Sequence, residues 1–410
     1  MTDLPGAAAA EAVAAASRDA YARIVATLIR VTGDWTLAED CTQEALTLAL
    51  RRWPRDGVPA NPGGWLMTVA RNHAIDVLRR ASVERRKLAE LALLGESGSA
   101  GEDDLVDDRL RLIFTCCHPA LALESRVALT LRTIGGVRTA DIARAFLVTE
   151  SAMTRRLTRA KTKIADARIP YRVPEGKALT ERLPGVLAVL YLLFTHGYNP
   201  GGPPAFADEA IRLARLLHHL MPGESEVTAL LALFLLQHSR RDARRDETGA
   251  LRTLDRQDRT RWDQAAITEA TSLLRTTAPD GPYALQARIA ACHATAPSSG
   301  ATDWPAIATW YDRLAAIQPS PVIDLNRAVA YGFAHGPRAG LEILATARSG
   351  GALDDHPLAL AAEADLTART GDRTRAAALF RQAAALAHTA PERDALLARA
   401  DREEPPPEVS

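Results

Sequence analysis

Cysteine is scarce in this chain of 410 residues: the four present (Cys41, Cys116, Cys117 and Cys292) cannot form the disulfide framework of a small secreted scaffold. Aromatic residues make up only 5% of the sequence, and just four of its 50 basic residues are lysine. Coding bias in a GC-rich genome is the plain explanation of that arginine skew. Net charge is zero, so the surface as a whole is not that of a protein coating nucleic acid. No stretch reaches the ~18 apolar residues of a membrane span, and the best candidate, "VLAVLYLLF" (186–194), reads as a buried helix. The N-terminal "MTDLPGAAAAEAVAAA" lacks the charged-then-apolar order of a secretory signal, so the expected location is cytoplasmic, without a membrane partner.

Chemistry-bearing patterns are missing too. There is no nucleophile elbow, no phosphate-cradling glycine loop and no pair of catalytic carboxylates, so no enzyme and no cofactor are expected. "CCH" (Cys116, Cys117, His118) is a poor metal site because adjacent cysteines cannot easily face one ion and no second pair stands at zinc spacing. Buried core residues are the better reading. His218 and His219, neighbours on a helix, point apart in the same way.

What is there is helix. Apolar residues recur at the 3.6-residue period from one end to the other and no alternating strand pattern appears, which predicts an all-α protein of two to four domains. Residues 17–85 hold three helical patterns: "YARIVATLIRVTG", "WTLAEDCTQEALTLALRRW" and, after the turn-rich "PRDGVPANPGG", "WLMTVARNHAIDVLRR". The first buries Tyr21, Ile24, Val25, Leu28 and Ile29, the second Leu37, Cys41, Ala45, Leu48 and Ala49. The third carries Leu66, Val69, Ala70, His73, Val77 and Leu78 near one stripe. An acidic stretch that includes "GESGSAGEDDLVDD" makes 86–108 a linker by composition. A second helical unit covers 109–168, a third 179–295 and a fourth 302–400, and the tail "EEPPPEVS" is expected to be disordered. In the fourth, the turn glycines Gly336 and Gly371 stand 35 residues apart, close to the tetratricopeptide period of ~34. Ala376, Phe380 and Ala383 fit the small–aromatic–small spacing of that repeat's second helix.

The segment "RTADIARAFLVTESAMTRRLTRAKTKI" (138–164) reads as helix, turn, helix and carries seven basic residues against Asp141 and Glu150. Ile142, Ala143 and Phe146 are expected to pack on Met153 and Leu157, with Thr149 capping the second helix. That packing turns Thr154, Arg155, Thr158 and Arg159 outward, where arginine can take guanine O6 and N7 together and threonine can meet a thymine methyl. Arg156, Lys161 and Lys163 suit phosphates, which add affinity without sequence information. A basic face on an ordinary helical bundle would look the same, so the motif by itself leaves both readings open.

"GDWTLAEDCTQEALTLALRRW" with "NPGGWLMTVARNHAIDVLRR" resembles the second conserved region of extracytoplasmic-function RNA polymerase sigma factors, and 110–164 resembles their fourth region. "FTCCHPAL", "GPYALQARIAACHA" and "PSPVIDLNRAVA" look like the subgroup with a long helical C-terminal extension bearing tetratricopeptide-like repeats. The resemblance implies that Asp40, Gln43 and Glu44 dock on core RNA polymerase. It implies that Arg71, Asn72, Asp76, Arg79 and Arg80 engage the −10 element of promoter DNA, with Asn61 in the loop that captures a flipped base. It implies that Thr154, Arg155, Arg156, Thr158, Arg159 and Lys161 engage the −35 element. Trp53 and Trp65 stack on bases or, the better reading, pack between helices. The function so implied is promoter-specific initiation of transcription, with the extension modulating activity through a possible protein regulator. A DNA-binding regulator with a repeat-built sensor that never joins the polymerase is the alternative.

Overall fold

Intrinsic propensity starts the first helix earlier than periodicity alone predicts: the alanine-rich opening extends α1 over Leu4–Thr32. The computed structural model describes residues 4–80, 102–146, 148–198, 204–246, 252–349, 351, 353–387 and 390–403, and among these no β-strand forms. The chain divides into two compact units, Met1–Met221 and Pro222–Ser410.

In the first unit α1, α2 (Trp35–Asp56) and α3 (Pro62–Arg80) pack against one another. Gly33, at φ 67°, closes α1, and the Asp34 carboxylate caps α2 by accepting the N–H groups of Thr36 and Leu37 at 2.9 and 3.0 Å. The five expected residues of α1 are buried. In α2 the buried stripe is Ala38, Cys41, Ala45, Ala49 and Trp53, with Leu37 and Leu48 only half-buried. In α3 it is Leu66, Ala70, Ala74 and Leu78, one residue per turn. Val69, His73 and Val77, expected on that stripe, are only half-buried because they flank it.

Helix α4 (Glu102–Cys116) begins inside the stretch expected to be linker, and 81–101, the rest of that stretch among them, lies outside the described residues. Asp108, the last residue assigned to the linker, is 1% exposed. It is tolerated there because Arg30 Nε and a guanidinium nitrogen of Arg111 reach its two oxygens at 2.9 and 2.7 Å. The Tyr171 hydroxyl seals the same place, 3.0 Å from the carbonyl oxygen of Ala26 and 3.3 Å from that of Asp108.

Leu112, Ile113, Phe114 and Cys116 of α4 are buried, and α4 packs on α1, α8 (Lys177–Tyr198) and α9 (Pro204–Leu220). Arg182 of α8 donates to the carbonyl of Phe114 at 2.6 Å. Where α8 meets the start of α9 the backbones nearly touch: a Cβ on Gly197 would fall 2.2 Å from the Ala207 nitrogen. Of the described helices, α8 is the one long and apolar enough to cross a membrane, yet Leu183, Val186, Leu187, Val189, Leu190, Leu193 and Phe194 are buried within the unit. The division at Met221 thus falls inside the stretch 179–295 that periodicity groups together, because α8 and α9 spend their apolar faces on α4 and α5 (Leu123–Thr133).

The second unit is a run of helices each packed on the next. Helix α10 (Ser225–His238) is apolar all round and buries every residue from Val227 to Leu236. Around and beyond it come α11 (Gln264–Leu274), α12 (Pro282–Thr295), α13 (Trp304–Ile317), α14 (Pro321–Ala334), α15 (Pro337–Arg348), α16 (Pro357–Thr370), α17 (Arg373–Ala385) and α18 (Ala390–Glu403). Proline stands in the first turn of the five consecutive helices α12 to α16, where its missing N–H costs nothing. Gly336 and Gly371, at φ 98° and 101°, turn the pairs α14–α15 and α16–α17 as the repeat spacing predicts. Ala376, Phe380 and Ala383 are buried as expected. The tail, 404–410, lies outside the described residues.

Replacing Phe114 by alanine is expected to lower the stability of the first unit by about 3–5 kcal/mol, whereas Leu123→Ala, at an exposed position, changes it by no more than about 0.5 kcal/mol. Urea unfolding followed by circular dichroism measures both.

Candidate nucleic-acid interface

Helix α6 (Thr139–Ala145) and helix α7 (Glu150–Asp166) form the turn-linked pair. Ile142 and Ala143 are buried with Met153, Leu157, Ala160 and Ile164, and Thr149 Oγ1 caps α7 by accepting the Ala152 N–H at 3.2 Å. Phe146 departs from expectation. It is half-buried, stacks on His196 of α8 at 5.6 Å between centroids, and lies under the Arg156 guanidinium at 5.8 Å. Leu147, in the turn, lies outside the described residues.

The outward face of α7 carries Thr154, Arg155, Thr158 and Arg159, all exposed. Both threonine hydroxyls donate back along the helix, to the carbonyls of Glu150 (2.9 Å) and Thr154 (3.0 Å), and so turn their methyl groups outward. Among the described residues neither Arg155 nor Arg159 has an ion-pair partner, so both guanidiniums are available to a ligand. Arg156 is half-buried against Phe146.

Lys161 does not join that face. Its Nζ is 2.9 Å from Glu39 Oε2, and only 18% of its side chain is exposed. The other Glu39 oxygen accepts the Thr133 hydroxyl at 3.1 Å, and Arg132 Nε lies 3.7 Å from Oε2. The expected phosphate contact is therefore turned inward by a carboxylate of α2 that is itself 5% exposed. Sequence reasoning singles out the neighbours of Glu39 and misses Glu39 itself. The signal that could find it is positional, since it sits next to the buried stripe of α2, three residues before the buried Thr42.

Asp40 and Glu44 are exposed one turn apart on α2, with Gln43 half-buried between them. Along α3, Asn72, Asp76, Arg79 and Arg80 are exposed, while Arg71 is half-buried with a guanidinium nitrogen 3.4 Å from Asn72 Oδ1. Asn61 is exposed at the start of α3 and its Oδ1 already accepts the Gly64 N–H at 2.9 Å, which leaves the amide NH₂ as the end that can donate. Trp53 is buried and meets Trp65 edge-on at 5.6 Å, a packing role.

Cys116 and Cys117 are core atoms. Burial pushes both thiols up, that of Cys117 to about 11, and the Cys117 sulfur lies 3.6 Å from Thr130 Oγ1.

Sequence comparison gives two matches that coincide with these modules: sigma-70 region 2 over residues 18–83 and sigma-70 region 4 over 111–164. A family of unknown function, DUF6596, matches residues 182–278. The ECF RNA polymerase sigma factor SigL of Mycobacterium tuberculosis is 34% identical over 165 residues, which span 38% of this chain and 90% of SigL. An uncharacterized protein of Rhizobium meliloti is 45% identical over 333 residues, 77% of this chain and 78% of its own. The crystal structure of the yeast Tom70 aligns loosely, with a TM-score of 0.35 at 12% identity, over 90% of this chain and 80% of that one.

A double-mutant cycle on Glu39→Gln and Lys161→Met in the intact chain is expected to give a coupling of about 1–3 kcal/mol in urea unfolding. Additive effects would mean that the pair does not join the two modules.

Proposed function

The chain belongs to the extracytoplasmic-function group of sigma-70-type RNA polymerase sigma factors, and on that footing we propose how its surfaces divide the work of starting a transcript. Such factors form no covalent bond themselves, and their partners are core RNA polymerase and promoter DNA. The observation that carries the reading is the order of the two modules, region 2 on α1–α3 and region 4 ending in α7, matched over 90% of SigL.

In this proposal α7 enters the major groove of the −35 element with Thr154, Arg155, Thr158 and Arg159 at the bases and Arg156 at the backbone. Lys161 takes a phosphate only after parting from Glu39. Helix α3 holds the −10 strand, Arg71, Arg79 and Arg80 at phosphates and Asn72 and Asp76 at base edges. The Asn61 amide donates to a base turned out of the stack; a pocket that holds such a base offsets the few kcal/mol that extrusion costs. Asp40, Gln43 and Glu44 meet a basic helix of the polymerase, where charge complementarity fixes orientation. The site of action is the cytoplasm.

The extension modulates this activity. The support is its attachment: α8 and α9 are fastened to α4 and α5 through Arg182 and through Arg212, whose guanidinium reaches the Ile134 carbonyl at 3.4 Å. A regulator acting through the second unit is part of the same reading.

Transcription with purified core polymerase tests the assignment. Wild type is expected to direct synthesis from a fixed start. Asp40→Lys with Glu44→Lys is expected to weaken polymerase binding by about tenfold or more. Arg155→Ala should leave polymerase binding intact, remove start-site selection and lower the slope of log affinity against log salt by about 0.9 for each phosphate no longer neutralised. Binding of promoter DNA by the chain alone, indifferent to Asp40 and Glu44, would instead describe a regulator that never joins the polymerase.

A further inference from the structure

The second unit holds a cleft of about 1260 Å³, walled on one side by residues 252–259 and on the other by α18, with Trp304, Phe333 and Asp365 between them. Small-ligand pockets run to roughly 300–1,000 Å³, so this space suits a chain segment better than a metabolite. Its charges are unevenly satisfied. Asp365 is paired with Arg399, and Glu403 with Arg373 at 3.5 Å. Arg252, Arg256 and Arg402 are exposed and, among the described residues, have no ion-pair partner. Arg259 is held by the carbonyls of His293 and Ala296 at 2.7 and 2.9 Å and lies 4.4 Å over the Trp262 ring, so its charge is oriented without being neutralised. Burial, with Arg240 and Arg259 nearby, pushes His293 down to about 4, so the imidazole adds no charge at neutral pH.

The apolar part of the cleft is rigid. Phe333 stacks on Trp304 at 4.3 Å and 13° between planes, Arg369 covers its other face at 4.2 Å, and His293 meets the Trp304 edge at 5.2 Å. Phe333 remains 44% exposed despite both contacts.

We propose that this cleft binds an acidic, apolar-anchored peptide segment of a partner protein, its carboxylates on Arg252, Arg256 and Arg402 and an apolar side chain on Phe333. The proposal deepens the reading of the extension as a regulatory surface and rests on it. A nucleic-acid strand fits the same arginines less well. Asp255, Asp365 and Glu403 stand among them, and a continuous phosphate backbone cannot avoid these carboxylates as spaced peptide charges can.

The test is fluorescence anisotropy on the full chain with a labelled mixture of short peptides that alternate Glu or Asp with Leu, Phe or Tyr. Matched mixtures carrying Gln or Lys in place of the acids, and a short single-stranded DNA, are the comparisons. The acidic mixture is expected to bind about tenfold or more tighter than the Gln mixture, and the combined change Arg252→Gln, Arg256→Gln, Arg402→Gln to remove that advantage with helical content unchanged. Phe333→Ala should weaken the acidic mixture further. Equal binding of the Gln mixture overturns the proposal, as does loss on Arg155→Ala instead, or tighter binding of the DNA through the same arginines. None of these readouts involves transcription, so a failed peptide site and a failed sigma assignment are told apart.

Discussion

A single carboxylate organises the first unit. Glu39 leaves the polymerase-facing helix, is shielded from water, and is satisfied by a hydroxyl and two cations, all supplied by α5 and α7. A buried ion pair adds little net stability, because desolvating both charges offsets most of their attraction. What it adds is register. The same atoms that neutralise Glu39 fix which side of α7 faces outward, and so which arginines a groove can meet. The two DNA-facing modules are therefore not independent in the free chain: parting them leaves a carboxylate and an ammonium to be rehydrated together.

Arginine serves elsewhere in place of the scarce lysine, and the reason is geometric. Arg182, Arg212 and Arg259 each spend their planar fork on backbone carbonyls at helix ends, which a compact ammonium does less well. Such contacts close the orphaned ends of one element with a side chain from another. They explain how an all-helical chain with few aromatic residues holds so many short helices in place.

Much of this was legible in the sequence. The stripes of α1 and α2, the Thr149 cap, the outward set on α7 and the turns at Gly336 and Gly371 are local consequences of periodicity and capping, and they stand where periodicity puts them. What was not legible depends on residues far apart in the chain. Nothing near Asp108 announces Arg30, 78 positions away, so a composition that reads as linker conceals a helix. Lys161 sits among basic residues and reads as one of them until Glu39, 122 positions earlier, turns it inward. The third helical stretch reads as continuous because α9 and α10 are both apolar helices of similar period; only their packing partners divide them. The cleft escapes a sequence reading for the same reason, its walls being drawn from separate segments of the chain.

Arrays of stacked helices ordinarily transmit force only from each pair to the next, so they can fray from one end. The ring column in the second unit breaks that rule, since His293, Trp304, Phe333 and Arg369 come from α12, α13, α14 and α16. Four helices share one continuous strut. Tension applied at either end of the array must be borne by all of them at once, and the unit is built to yield as a block.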